Sequence, residues 1–431
     1  MSLLLSKDST EIKTLGDFIS LQRGTTYKSS LLGQPGAFLI GLGSIQREGG
    51  FRDDKLETYG GECPLKISLE PGDLYVSLKD ITHDGHLLGA VARIPDSIAR
   101  GRLTQDTVKL VFEKELFPRD YIYWLLRTPQ YRNYCRSRQT GTTNLGLSRE
   151  DFLSLRVPPL TKVTIAVVIV LESIEKKISN LRQQNETLES IAQTLFKHWF
   201  VDFEFPNEDG KPYKSSGGAM VRSDLGDIPV GWEVGKLGDV VDVKSSKRIF
   251  LSEYVEFGIP FYRSKEIIEL SAGQEISTAL YISEERFQEI SSKFGAPGAG
   301  EILVTSVGTI GVIYIVKSGS KFYFKDGNLT WIKNFQKGFN GVVIYYWLKS
   351  AQTQNQIEQN TIGSTQKALT IQALSGLNLI IPEQTILVKY RDFVESIHVK
   401  KERNIKQIQT LTQTRDRLLP KLMSGQLRIP E

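Results

Sequence analysis

Cysteine is nearly absent, with Cys63 and Cys135 the only two among 431 residues. Two such residues exclude a disulfide framework, and their neighbours offer no metal-ligand spacing, so a reducing compartment is expected. Long apolar runs are missing too. The most apolar stretch, Val163 to Leu171, falls far below the roughly 20 residues of a spanning helix, and the leucines at 3 to 5 are too short a run for a signal peptide. The expected protein is soluble and cytoplasmic. Neither sign of charge dominates: 54 Lys and Arg against 49 Asp and Glu leave +5, with a pI near 8.9. Such a balance permits a phosphate-binding surface without demonstrating one.

The motifs of several chemistries are also lacking. Gly231, Gly235 and Lys236 have the wrong spacing for a phosphate-cradling Walker loop, and no Ser or Thr follows the lysine. Val157, Pro158, Pro159 and Leu160 have the prolines of an adenine-methylating tetrapeptide but neither its amide nor its ring. Glu175 and Lys177 look like half of a nuclease Glu-x-Lys, yet no metal-binding Asp stands suitably upstream. His83 and His86 are two candidate ligands without a third, and a metal needs three or four. Catalysis is not expected of this chain, and no metal or cofactor site is predicted in it.

What the chain does have is a heptad stripe. Leu171, Ile178, Asn185, Ala192 and Trp199 recur every seven residues, as do Ile174, Leu181, Leu188 and Leu195, which is the a/d spacing of a coiled coil. A helix of about 35 residues is roughly 50 Å long, too long for one small core, so it needs a partner helix. Asn185 at an a position is a device for fixing register. The partner is expected within the chain: Leu171-Glu172-Ser173-Ile174 returns as Val394-Glu395-Ser396-Ile397, an offset of 395 − 172 = 223. Ile408, Leu411, Leu418 and Leu422 extend that second stripe. Lys401 and Arg415 occupy a positions and Ile405 stands beside the seam, which predicts looser packing or a share taken by another protein.

The repeat reaches beyond the helices. Leu15-Gly16-Asp17 returns as Leu237-Gly238-Asp239, Tyr123-Trp124 as Tyr346-Trp347, and Gly141-Thr142-Thr143 as Gly363-Ser364-Thr365. The run Leu153, Leu155, Val157, Pro158 returns as Leu377, Leu379, Ile381, Pro382. The chain therefore reads as a duplicated unit: a globular domain over 1–160, a long helix over 161–202, a flexible connector over 203–230 rich in Asn, Asp, Gly and Ser, a second globular domain over 231–382, and a second long helix over 383–431. The fold class is α+β. Two similar mixed α/β domains are separated by two long helices pairing as an antiparallel coiled coil, a pseudo-two-fold object.

Two heads on a rod suit two-fold DNA, whose half-sites lie about one helical turn, roughly 34 to 36 Å, or multiples of it apart. Base and phosphate readers are Arg, Lys, Asn, Gln and hydroxyl side chains on loops. The first domain offers Arg23, Lys28, Gln46, Arg47, Lys79, Arg138, Thr142, Thr143 and Asn144; the second offers Lys244, Lys247, Arg248, Arg263, Lys265, Lys325, Ser364, Thr365, Gln366 and Lys367. Taken singly, a solvated charge is the commoner role for each of them.

Three segments resemble the specificity (S) subunits of type I restriction-modification enzymes: Leu195 to Phe205, Gly226 to Trp232 with Leu237 to Asp239, and Arg415 to Ser424. That resemblance covers nearly the whole chain. It implies two target-recognition domains that each read one part of a bipartite double-stranded DNA sequence. It also implies helices that act as spacer and as docking surface for two methyltransferase subunits, joined by restriction subunits in the full complex. S-adenosylmethionine would be bound by the methyltransferase and ATP by the restriction subunits, and no cofactor by this chain. The alternative from another class is a coiled-coil scaffold that binds only protein.

Overall fold

In the computed structural model the described residues are 13–54, 56–81, 85–112, 118–142, 144–274, 276–363 and 367–424. They divide into two compact units, 13–179 with 408–424, and 180–407. Each unit holds one globular domain and a segment of both long helices, which span Lys162–Phe200 and Gln384–Ser424. No described helix is long and apolar enough to cross a membrane.

Within the first unit, a four-stranded antiparallel sheet runs in the order Ile19–Arg23, Thr107–Phe112, Leu74–Ser77, Val91–Arg93. Leu74, Tyr75 and Val76 are all buried, the signature of a central strand covered on both faces. A second sheet contains Leu32–Ile40, whose end runs parallel to Gly101–Leu103. Helices Arg119–Leu125, Pro129–Ser137 and Arg149–Leu153 close one side. Thr128 and Ser148 cap the latter two, each accepting a backbone N–H with its side-chain oxygen.

The second unit repeats this plan. Its antiparallel sheet has the order Asp242–Lys244, Leu329–Lys333, Ile302–Thr305, Ile313–Ile315. Phe261 and Tyr262 pair in parallel with Tyr323 and Phe324, matching the parallel pair of the first unit. Helices Gly341–Lys349, Ala351–Gln359 and Ile371–Ser375 stand where the first three did in chain order. Two further helices, Ser264–Ser271 and Glu284–Phe294, have no counterpart among the described residues of the first domain, so the duplicated domains share a scaffold and differ in what is mounted on it.

The repeated Leu-Gly-Asp shows why those residues recur. Asp17 Oδ2 accepts the Thr14 N–H at 2.6 Å and Asp239 Oδ2 accepts the Lys236 N–H at 2.7 Å, each closing a short 3-10 turn. Leu15 N then donates to Leu155 O, and Leu237 N to Leu377 O, both at 2.9 Å. Gly238 sits so close to Ser375 that a Cβ would lie 2.4 Å from its hydroxyl. Each domain thus has its opening and closing segments stitched together, by an isolated bridge in the first and a two-stranded pairing in the second.

The segment expected to be a flexible connector is instead folded. Met220–Ser223 pairs with Gly226–Pro229 as a hairpin, and Phe203, Phe205, Ile228 and Trp232 are buried. Phe205 stacks on Trp232 at 4.9 Å and on Tyr213 at 4.6 Å. Gly, Ser and Asn are abundant here, but aromatics spaced along the segment converge on one site and supply the apolar area that offsets the ordering entropy. Trp232→Ala is therefore expected to cost about 3–5 kcal/mol and to raise amide exchange across 203–229 toward the rate of an open chain. Protection retained in that variant would contradict the packing described.

Candidate nucleic-acid interface

The two long helices run antiparallel in each unit. In the first unit Arg415 pairs with Glu175 at 3.0 Å, and Leu418 and Leu419 join the core that holds Val167, Val168 and Leu171. In the second, Asn404 donates to Asn185 at 2.9 Å, Lys401 pairs with Glu189, and the Tyr390 hydroxyl reaches the Ala192 carbonyl at 3.3 Å. Leu171, Ile174, Ile178, Leu181 and Ala192 are buried, as are Val394 and Ile397. Leu188, Leu195 and Trp199 pack half-buried against the second domain's core, and Ile408, Leu411 and Leu418 are half-buried. The side chain of Leu422 lies outside the described residues.

Those contacts revise the reading of the second stripe. Lys401 and Arg415 are not gaps in the seam left for another protein; each meets a carboxylate of the facing helix. Asn404 is 1% exposed, so a polar layer of two amides crosses the seam and fixes its register.

The Gly-Thr loops are built alike. Thr140 and Gly146 exchange two backbone hydrogen bonds at 2.9 Å, and Ile362 and Ala368 exchange two at 2.9 and 2.8 Å. The second residue of each loop, Gly141 or Gly363, has φ of 88° or 95°, a region that glycine occupies without steric cost. Thr142 and Asn144 are exposed at this tip, and Leu145–Gly146 pairs with Lys79–Asp80, bringing Lys79 beside them. On the second loop Lys367 is exposed, with its carbonyl facing Gly308 N at 3.5 Å. Thr143, Ser364, Thr365 and Gln366 lie outside the described residues.

Further basic candidates stand on each domain. Arg23 Nε donates to Gln105 O at 3.0 Å and the Lys28 backbone N–H to the Tyr59 hydroxyl at 3.3 Å, and both residues are exposed. In the second domain the Lys247 N–H donates to the Tyr323 hydroxyl at 2.9 Å, Arg248 pairs with Asp326 at 2.9 Å, and Lys244 pairs with Asp242 at 3.1 Å. Lys325 is half-buried in the same strand-end segment.

Other candidates are engaged elsewhere. Arg263 grips Glu266, a carboxylate with no exposed side-chain surface, and caps the helix Ser264–Ser271. Lys265 donates to Thr278 at 2.8 Å. Gln46 donates to Phe51 O at 2.8 Å, while Arg47 beside it is exposed. Arg138 lies 3.9 Å over the Tyr134 ring and 3.5 Å from Asp151. His86 Nδ1 is 2.7 Å from Glu48 Oε1, and its expected companion His83 falls outside the described residues.

Sequence reasoning overlooked where the heads meet the helices. Arg93 grasps Glu172 with two hydrogen bonds of 3.0 Å, and Trp124 Nε1 adds a third at 2.6 Å. Glu189 accepts from Lys349 at 2.6 Å, from the Tyr345 hydroxyl at 3.3 Å, from the Tyr346 hydroxyl at 3.4 Å, and from Lys401. The advance signals were Glu172, retained in the repeat as Glu395, and the repeated pair Tyr123-Trp124 and Tyr346-Trp347.

Comparison with known proteins places this architecture. The type I restriction modification DNA specificity domain matches residues 229–409. The chain is 30% identical over 393 residues to the type I restriction enzyme MjaIX specificity subunit of Methanocaldococcus jannaschii, covering 86% of this chain and 81% of that one. The MjaVIII specificity subunit of the same organism is 20% identical over 341 residues, 77% of this chain and 75% of that one. The crystal structure of a type I restriction-modification system S subunit from M. genitalium aligns with a TM-score of 0.54 at 15% identity, over 97% of this chain and 98% of that one, and supports the fold.

Burial would raise the Glu189 carboxyl, but Lys401 and Lys349 outweigh it and bring it down from 4.5 to about 2. A depressed carboxylate contributes stability that is complete above 4.5 and lost as pH falls toward 2. The difference in urea-unfolding free energy between the parent and Glu189→Gln is therefore expected to be widest near neutrality. It should shrink by something on the order of 3 kcal/mol on acidification, at 1.36 kcal/mol per pH unit. A difference that stays constant between pH 5 and pH 3 would contradict the assignment.

Proposed function

Because the chain belongs to the type I restriction-modification specificity subunits, a family of non-catalytic DNA-recognition subunits, we propose that it reads a bipartite, gapped double-stranded DNA target. One block is read by each domain, and the paired long helices act as the spacer and as the dock for methyltransferase subunits. The observation that carries this reading is the duplication itself: two domains whose main antiparallel sheets share one strand order present the same glycine-hinged loop, yet they differ in helices and loop residues. A common scaffold with different loops suits two different short sequences. Thr142, Asn144 and Lys79 in the first domain, and Lys367, Lys247, Arg248 and Lys244 in the second, are the proposed DNA contacts. S-adenosylmethionine would enter with the methyltransferase, and ATP with restriction subunits. The complex works where the chromosome is, in the cytoplasm.

The reading is tested by mapping methylated adenines in cells that carry this subunit with its methyltransferase. The expected motif is two short defined blocks around unspecified bases; a continuous motif would overturn the two-headed account. Binding to that motif should weaken steeply with salt, because each neutralised phosphate adds about 0.9 to the slope of log K against log salt. A protein-only scaffold would show neither effect.

Spacer action makes a second prediction. One heptad inserted in register into both helices adds roughly 10 Å at 1.5 Å per residue, which should lengthen the methylated gap or abolish methylation. Residues added at the hairpin turn, Asp224 and Leu225, should leave the gap unchanged.

A further inference from the structure

In each unit, one carboxylate of the first long helix gathers polar groups from the globular domain at its side. Glu172 receives Arg93 from the edge strand and Trp124 from the helix Arg119–Leu125. Arg93 is steadied in turn by Asp120 at 2.9 Å and by the Tyr123 ring, 4.4 Å from its guanidinium. Glu189 receives Lys349, Tyr345 and Tyr346, all on the helix Gly341–Lys349, and Lys401 from the second long helix. Its side chain is 17% exposed, so these contacts are largely shielded from solvent and salt.

The domains are also held to the helices by apolar packing. In the second unit Phe196, Phe200 and Tyr390 share a core with Val343, Ile344 and Trp347. Apolar contact is strong but non-directional, and it allows a domain to rock on its seat. Charge-assisted hydrogen bonds have fixed geometry, so the carboxylates supply the angle that the core does not. Angle matters for a gapped target, because each base pair of gap turns a half-site by roughly 35°, a tenth of the 10 to 10.5 base-pair turn.

We infer that Glu172 and Glu189 are positioning residues that set the orientation of each recognition domain on the long helices, and so fix which gap length is accepted. Neither touches DNA in this account; they act through Arg93 and Trp124, and through Lys349, Tyr345 and Tyr346. Loss of either would enlarge the angular range of one domain and admit targets with one base pair more or less between the blocks.

The inference rests on the bipartite reading above, so the test begins with the parent. Parent subunit is assembled with its methyltransferase, and methylation rates are measured on the mapped target and on versions with the gap changed by one base pair. If the parent shows no gap preference, the bipartite reading fails before the inference is reached. Given a preference, Glu172→Gln and Glu189→Gln are each expected to cut it by about tenfold, the scale of one charge-assisted hydrogen bond, mainly by gaining rate on the altered gaps. A merely structural role would lower all rates together and leave the ratio alone. Since Glu189→Gln also disturbs the pairing of the long helices, the triple variant Tyr345→Phe, Tyr346→Phe, Lys349→Met removes only the domain's donors and keeps Lys401 on Glu189. It should relax gap choice while the Lys401–Glu189 contact between the long helices persists. A ratio within twofold of the parent in Glu172→Gln and in the triple variant would overturn the inference.

Discussion

The structure depends on a narrow seam that has to stay in register along helices of 39 and 41 residues. Apolar a/d residues drive the association but tolerate sliding by a heptad, since one layer of leucines resembles the next. Polar residues remove that freedom. Asn404 against Asn185, Lys401 against Glu189 and Arg415 against Glu175 are satisfied only at one alignment; a shift would leave a nearly buried amide or charge without its partner, a cost of about 1–3 kcal/mol each and more for the charges. Stability is thereby exchanged for a unique register.

The heptads were legible because the a/d rule leaves a period that can be counted, and the duplication because turn residues cannot drift: Leu-Gly-Asp must cap a 3-10 turn, and Gly141 and Gly363 must take positive φ. The partners of Lys401 and Arg415 were hidden for a physical reason. Glu175 and Glu189 sit beside the stripe at flanking positions, so a count of core positions passes over them, and only the antiparallel alignment shows which acid faces which base.

The connector was misread because composition was allowed to speak for structure. Glycine, serine and asparagine describe its turns, while Phe203, Phe205, Tyr213 and Trp232 describe its core, and no period links those four. The candidate DNA-contacting residues were legible only in kind. Arg263 and Lys265 have the right chemistry for phosphates, yet Arg263 is occupied by Glu266 and Lys265 by Thr278; a sequence shows that a charge is present and not whom it already serves.

The stitching of opening segment to closing segment in each domain has a mechanical meaning. Thr14 bridges Arg156, and Glu233–Lys236 pairs with Asn378–Ile381, so the opening and closing segments of each globular portion are closed on each other by one short seam. Tension drawn between those two segments would load that seam by shear before it reached the interior sheets. A portion so mounted can change its outline, as the second has done by gaining two helices, without passing strain to the rest of the molecule.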